Sequence, residues 1–212
     1  MLDVQALSRK DASVNGPESP SRRFVDQGRP LTMYSDLIYV ACPNCGARAQ
    51  ITPRPGLPEL RYYSELLYRP RRLTCTACAA TRSWSAKQRN NALVGVKLGG
   101  PSDPFFDLPL WLQTPCRGEV LWAYNERHLD ILENYVAADL RERTDYRSNG
   151  AMLSRLPAWM KAAGHRADVL RAIRRLRIQL EQVASHDRSA TMLDRTNRGP
   201  RGGNNYYFRP PY

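Results

Sequence analysis

The sequence predicts an α+β fold, in which antiparallel strands surround a group of four cysteines and a small C-terminal helical bundle follows them. Two Cys-x-x-Cys steps, which begin at Cys42 and at Cys75, lie in the first half of the chain. Around these steps apolar and polar residues alternate, a period of two that is typical of strands with one buried face. In the second half, apolar residues recur every three or four positions, which is typical of amphipathic helices.

The two cysteine steps indicate a metal site. A tight turn over two residues directs both sulfurs of a step to one point, so two steps supply the tetrahedral set of thiolates that a closed structural Zn²⁺ site uses. We therefore predict that Zn²⁺ is bound by Cys42, Cys45, Cys75 and Cys78. Three other interpretations stay open: a redox pair, two disulfides and an iron–sulfur cluster. The first lacks a surrounding βαβ pattern, the second lacks a secretory signal over residues 1–10, and the third uses the same four thiolates.

The chain divides into four stretches by composition and period. Residues 1–36 are rich in Ser, Pro, Asp and Arg without sustained periodicity, which predicts a flexible N-terminal arm. Residues 37–124 predict a β region, residues 125–184 a helical region packed on it, and residues 185–212 a basic and aromatic tail.

Within the β region, strands are expected on both sides of each cysteine step. These strands are expected at 38–41, at 47–52, in the residues before Cys75 and at 81–84. The segment 58–68 between them is ambiguous, because it fits one or two helical turns as well as a strand. Further strands are predicted at 92–98, 110–113 and 120–124, the last two flanking a loop at 114–118.

Three helices are predicted in the helical region. Asn125 is a favourable N-cap, and the face that begins at Leu129 and Leu132 is expected to continue to Val136 and Leu140. Pro157 opens a short helix that ends at Lys161. A last helix from about 166 to 183 carries a seam that consists of Val169, Ile173, Leu176, Leu180 and Val183.

The pattern Cys-Pro-x-Cys-Gly at Cys42 to Gly46, together with Cys-x-x-Cys at Cys75 to Cys78, resembles the zinc-ribbon proteins typified by the N-terminal ribbon of transcription factor IIB. The resemblance covers residues 42–84, about a fifth of the chain. It implies zinc ligation by the four cysteines. It does not imply a role in transcription, since ribbons contact both nucleic acids and proteins.

The charge of the chain favours an acidic or phosphate-bearing partner. The net charge is +12, and most of the 32 cationic residues are Arg, whose planar fork suits phosphate and stacks on bases. Arg is also favoured by genomes of high GC content. No apolar run is long enough to cross a bilayer, so no transmembrane helix is expected, and thiolate ligands fit a reducing cytoplasm.

Two groups of cations are candidate nucleic-acid contacts. One lies beside the cysteine steps, and the other forms a stripe on the last helix, opposite its apolar seam. These predicted residues are Arg48, Arg82, Lys87, Arg171, Arg174, Arg175 and Arg177. The alternative is that both groups are solvated surface. In the tail, Tyr206, Tyr207 and Phe208 either stack on bases or dock on the protein's own sheet.

No motif for catalysis is present. Cys116 and His128 would form a nucleophile–base pair only if the fold brought them together, and Glu126, Asp130 and Glu133 are typical partners of a helix dipole. We therefore expect a non-enzymatic, cytoplasmic zinc-ribbon protein that binds nucleic acid. The alternative is a protein-binding module, such as a regulator or toxin-neutralising immunity protein, that uses its basic face on an acidic partner.

Overall fold

The computed structural model describes residues 21–143 and 150–182, in which ten strands alternate with short 3-10 turns and three α-helices. In chain order, the strands and helices are β1 (Arg23–Asp26), β2 (Ile38–Ala41), β3 (Arg48–Pro53), β4 (Arg71–Cys75), β5 (Thr81–Trp84), β6 (Gln88–Arg89), β7 (Ala92–Leu93), β8 (Leu112–Cys116), β9 (Glu119–Ala123), α1 (Glu126–Ala137), β10 (Leu140–Arg143), α2 (Ala158–Lys161) and α3 (Arg166–Glu181). The 3-10 turns lie at Leu31–Tyr34, Tyr63–Leu67, Leu153–Arg155 and Ala163–His165.

The first sheet has the antiparallel order β2-β3-β4-β5, and we call it the ribbon sheet. Ile51 on β3 pairs with Ile38 on one side and with Leu73 on the other, and all three side chains are fully buried. Their neighbours Gln50 and Thr74 point to the opposite face, as a period of two requires. The strands predicted on both sides of each cysteine step are therefore confirmed. The ambiguous segment 58–68 contains a 3-10 turn. Of the strand predicted at 92–98, only Ala92 and Leu93 form a strand (β7), although Val94 and Val96 also donate main-chain hydrogen bonds to Lys87 and Leu67.

Strand β2 is hydrogen-bonded on both of its edges. One edge pairs with β3, whereas the other bonds to the residues that precede and follow the β8–β9 hairpin. Tyr39 N–H donates to the carbonyl of Tyr124 at 2.8 Å, Trp111 N–H donates to the carbonyl of Tyr39 at 2.9 Å, and Ala41 N–H donates to the carbonyl of Pro109 at 3.0 Å. The ribbon sheet and the hairpin therefore share one continuous hydrophobic core.

The β8–β9 hairpin closes through a turn of two residues. Arg117 has a φ of 53° and Gly118 has a φ of 76°. Positive φ at both positions matches the right-handed twist of the flanking strands. The loop predicted at 114–118 was therefore too long. Pro115 and Cys116 belong to β8 and pair with Val120 and Glu119, because proline is compatible with a strand that has an open edge.

The end of the predicted N-terminal arm belongs to the folded body. β1 pairs in parallel with β10, and Leu31 and Tyr34 are buried in the core. The composition of residues 1–36 obscured these apolar anchors, because Pro, Ser and Arg surround them. Residues 1–20 lie outside the described residues.

Helix α1 begins as predicted but ends early. The side chain of Asn125 accepts a hydrogen bond from His128 N–H at 3.0 Å, which confirms the cap. Leu140 was predicted on the buried face of this helix, but it lies in β10 and is 42% exposed. The helix ends before Leu140 because Asp139 and Leu140 donate their N–H groups to the carbonyl of Arg22. These hydrogen bonds begin the pairing of β10 with β1.

The two long helices pack on the hairpin and on each other. Val169, Ile173 and Leu176 of α3 are fully buried, as the seam predicted, while Val183 lies outside the described residues. The short helix after Pro157 is also confirmed. The helical region therefore packs on the β region as predicted. Because α2 has a single turn, however, the described helices form a layer over the β8–β9 hairpin, and the small C-terminal bundle that the sequence predicted is not confirmed.

Arg71 on β4 is fully buried and fastens two loops to the ribbon sheet. Its guanidinium donates to the carbonyl of Ser35 at 2.8 Å and to the carbonyl of Leu66, and it lies 4.3 Å from the centre of the Phe105 ring. Burial lowers the pKa of Arg71 to about 10, so the group stays cationic at neutral pH. Its charge is stabilised by two carbonyl dipoles and an aromatic face.

We expect Arg71→Ala to lower the free energy of unfolding by about 3 kcal/mol or more, because it leaves a cavity and two buried carbonyls without donors. Arg72→Ala is the matched control, since the neighbouring side chain on the same strand is exposed. It should change stability by less than about 0.5 kcal/mol. Urea unfolding followed by tryptophan fluorescence measures both, and equal losses would contradict the structural role of Arg71.

Candidate metal centre and basic surface

The two cysteine steps share two backbone features, a hydrogen bond and a left-handed residue, and we call each step a knuckle. Cys42 N–H donates to the carbonyl of Ala47 at 2.7 Å, and Cys75 N–H donates to the carbonyl of Ala80 at 2.9 Å, the same spacing along the chain. The residue after each second cysteine has a positive φ, which is 70° at Gly46 and 56° at Ala79. This left-handed residue turns the chain back into the next strand, and at Ala79 it is adopted despite a Cβ atom.

The knuckles lie at one end of the ribbon sheet and face each other. The sulfurs of Cys42 and Cys78 are 3.6 Å apart, those of Cys45 and Cys75 are 3.7 Å apart, and all four lie within 4.8 Å of one another. These separations are far longer than a covalent sulfur–sulfur bond, and all four cysteines are free. Four sulfurs arranged around one point could hold a metal ion.

The surroundings of the cluster favour thiolate at one sulfur and oppose it at another. Burial raises the pKa of Cys42, but N–H groups of Asn44 and Cys45 and the neighbouring thiols outweigh it and lower the pKa to about 7. The N–H group of Ala47 lowers the pKa of Cys45, yet burial and the three other cysteines raise it overall, to about 12. Negative charges this close repel each other. A cation bound among the four sulfurs would favour their full ionisation.

The predicted cations beside the knuckles differ in their surroundings. Arg48 is half-buried, and it donates to the carbonyl of Leu180 at 3.0 Å and lies over the ring of Tyr39, so it links the ribbon sheet to α3. Arg82 and Lys87 are exposed, and neither forms an ion pair among the described residues.

The stripe on α3 is largely engaged within the protein. The guanidinium of Arg177 forms ion pairs with Asp130, with Glu133 at 2.6 Å and with Glu126 at 3.9 Å. Its partners are therefore the three carboxylates of α1. Arg175 donates to the carbonyl of Pro115 at 2.7 Å.

The remaining two residues of the stripe, Arg171 and Arg174, are exposed. Arg171 pairs with Asp168, which also holds Arg117 at 2.7 Å. Within the described part of the chain, Arg174 alone of the four predicted residues has no hydrogen bond or ion pair from its side chain. The stripe therefore offers phosphate fewer unpaired cations than its sequence suggested.

Sequence reasoning did not single out the exposed aromatic pair Tyr62 and Tyr63. Their segment fits a helical turn as well as a strand, so no clear period indicates which of its apolar side chains are buried. Here both are exposed, at 71% and 50%.

Cys116 and His128 lie apart. Cys116 ends β8 opposite Glu119, at the closed end of the hairpin, whereas His128 contacts Tyr124 at the open end. The strand between these ends spans about 13 Å. Burial raises the pKa of Cys116, which keeps its thiol protonated at neutral pH. The fold thus provides no nucleophile–base contact between these two residues.

His128 is instead a packed core residue. Its Nδ1 accepts a hydrogen bond from Tyr124 N–H at 3.2 Å, and its ring stacks on Tyr34 with centroids 5.3 Å apart. The edge of Trp122 lies against it at 5.6 Å. Burial lowers the pKa of His128 to about 3, so the imidazole is neutral in the folded protein.

No family model, curated protein or solved structure matches this chain. Among the described residues, no helix has both the length and the apolar character needed to cross a membrane.

His128 should make folding stability depend on pH. Below about pH 6.5 the unfolded chain binds a proton at this residue that the folded protein excludes, so stability falls as the pH drops toward the folded pKa of about 3. Between about pH 6.5 and 5.5 the wild type should lose about 1 kcal/mol more than His128→Gln. Urea unfolding at both pH values measures this difference. Equal losses, or an NMR titration of His128 near its ordinary pKa, would contradict a buried neutral imidazole.

Proposed function

We propose that the four-cysteine cluster binds one Zn²⁺ and that the ribbon sheet it stabilises binds nucleic acid through phosphate contacts. The observation that carries this proposal is the charge of residues 37–102, which contain ten Arg and Lys residues against two Glu. The function is binding and not catalysis, and four reduced thiolates fit a protein of the cytoplasm.

The geometry of the cluster supports zinc. A tetrahedron with zinc–sulfur bonds of about 2.3 Å has edges of about 3.8 Å. This edge is close to the Cys42–Cys78 and Cys45–Cys75 sulfur separations, 3.6 and 3.7 Å. Four thiolates leave no open coordination position, so the metal would stabilise the fold and activate no water. The cations of the ribbon sheet would then be held on a rigid support.

The two carboxylates in residues 37–102 neutralise little of the positive charge. Glu65 is paired with Arg69, which leaves Glu59 as the other acid. Several exposed cations of this part form no ion pair among the described residues; they are Arg54, Arg61, Arg72, Arg82, Lys87 and Arg89. By contrast, Arg166, Arg171 and Arg177 of the helical layer each pair with a carboxylate. The unpaired cations that a phosphate group could contact therefore lie mainly in residues 37–102.

The outer face of the ribbon sheet has a composition suited to a sugar–phosphate backbone. The register of the strands places Tyr39, Ala41, Arg48, Gln50, Thr52, Arg72, Thr74, Thr81 and Ser83 on this face. Apart from Ala41, which is buried, all of them carry hydrogen-bonding groups and none is acidic; Arg48 is already bonded to the carbonyl of Leu180 on α3. Hydroxyl, amide and guanidinium groups of this kind make phosphate and sugar contacts, which position a protein without reading sequence.

The metal part of the proposal predicts about one Zn²⁺ per chain. Cys42→Ser should abolish zinc binding and destabilise the ribbon sheet, since metal binding energy of roughly 10 kcal/mol or more is folding energy. Cys116→Ser is the control, because Cys116 lies outside the cluster. This substitution should leave the zinc content unchanged. Elemental analysis and thermal melts measure both variants. Iron in place of zinc, or no metal, would refute this part.

The binding part predicts strong salt dependence. The triple variant Arg72→Gln, Arg82→Gln and Lys87→Gln should weaken binding to any sequence. It should also reduce the slope of log affinity against log salt by about 0.7–0.9 for each phosphate that is no longer neutralised. The charge-matched comparison replaces Arg171, Arg174 and Arg175 with Gln, and its effect should be much smaller.

Titration of labelled RNA and DNA at two salt concentrations, with zinc content as the folding check, distinguishes the two surfaces. A larger loss from the α3 variant would place the interface on the stripe instead. Absence of binding by the wild type up to tens of micromolar protein, at about 0.15 M salt, would refute nucleic-acid binding and leave an acidic protein as the partner.

A further inference from the structure

Residues 58–69 form an anchored segment that holds two tyrosine rings in solvent. Tyr62 and Tyr63 are 71% and 50% exposed, whereas Tyr34, Tyr124 and Trp122 are buried in the core. Leu66 of the same segment is fully buried and anchors the 3-10 turn that carries Tyr63. The exposure of the two rings is therefore a property of an anchored element.

The segment is fixed by a clamp between Arg69 and Glu65. Arg69 donates to the carbonyl of Pro58 at 2.6 Å and to the carbonyl of Glu59 at 2.9 Å, and it also pairs with Glu65 at 2.9 Å. The other oxygen of Glu65 accepts from the N–H groups of Arg61 and Tyr62 at 3.0 and 3.1 Å. Both clamp side chains are less than one-fifth exposed, so these bonds are partly shielded from water.

The clamp orders the backbone on which the two rings stand. A ligand that stacks on them would meet groups already in place, and less entropy would be lost on binding than with a flexible loop. Arg69 and Glu65 thus explain how a polar segment keeps aromatic side chains on the surface.

The segment also lies beside exposed cations. It joins β3 to β4 at the end of the ribbon sheet opposite the knuckles, where Arg54 N–H donates to the carbonyl of Pro70 at 2.9 Å and Arg72 pairs with Thr52. Arg61 directly precedes the tyrosines and is exposed. Aromatic faces next to unpaired guanidinium groups are the combination by which proteins hold single strands, with bases stacked on rings and phosphates on cations.

We propose that Tyr62 and Tyr63 stack on unpaired bases, so that the protein prefers single-stranded to double-stranded nucleic acid; this rests on the proposed nucleic-acid binding. Bases in a duplex are already stacked on each other and cannot offer a face to these rings. Arg54 and Arg61 contact the phosphates that flank the stacked bases. The segment adds affinity for exposed bases to the phosphate contacts of the ribbon sheet.

The test compares two double variants of the full chain, Tyr62→Leu with Tyr63→Leu, and Tyr62→Phe with Tyr63→Phe. Leucine keeps apolar surface but removes the aromatic face, whereas phenylalanine keeps the face and loses only the hydroxyl. The probes are a labelled oligothymidine of about 15 nucleotides, long enough for a typical single-strand site, and a duplex of mixed sequence. The leucine variant should bind the single strand about 10-fold or more weakly and the duplex as the wild type does, and the phenylalanine variant should resemble the wild type with both probes.

Each contrary result has a distinct meaning. If the wild type binds neither probe at low salt, the proposed nucleic-acid binding fails and this inference fails with it. If the wild type binds both probes and the leucine variant weakens neither, or weakens both equally, stacking is refuted while phosphate binding stands. Equal losses in the two variants would also refute stacking, since they would assign the effect to the hydroxyls. Zinc content and melting temperature verify that the variants fold, and Tyr63→Leu alone serves if the double variant does not.

Discussion

Main-chain hydrogen bonds along both edges of β2 hold this structure together. On one edge β2 is part of the ribbon sheet, and on the other it bonds to Pro109, Trp111 and Tyr124, which flank the hairpin. Backbone groups in such a position need partners on both sides, so the hairpin and the ribbon sheet each complete the other's hydrogen bonding. The four-cysteine cluster and the layer of helices therefore belong to one core, and the ribbon sheet has a fixed orientation on the body of the protein.

Charge is distributed unequally over this single core. In the helical layer the guanidinium groups hold elements together: Arg177 joins α3 to α1, and Arg166 joins α3 to the start of β10 through Asp139. On the ribbon side, Arg71 and Arg69 hold loops, while neighbouring cations stay in solvent. Arginine thus has two uses in this chain, and only the packing distinguishes the residues that build the fold from those that remain accessible to a ligand.

The features that the sequence predicted correctly depend on short-range signals. The knuckles, the strands beside them and the Asn125 cap each require only a few neighbouring residues. The pairing of β1 with β10, the burial of Arg71 and the partners of Arg177 depend on residues far apart in the chain, so no local pattern indicates them. For the candidate site the same division applies: the four cysteines were predictable, whereas the unpaired cations could be identified only after their neighbours were known.

The parallel pair formed by β1 and β10 has a consequence for the order of folding. It joins Arg23 to Leu140 across most of the described chain, whereas the strands of the ribbon sheet all lie between Ile38 and Trp84. Contacts between distant residues form late, because closing a long loop costs entropy before any contact compensates for it. During synthesis all four strands of the ribbon sheet are made before β10. We therefore expect β1, the first strand of the described chain, to be among the last elements to dock.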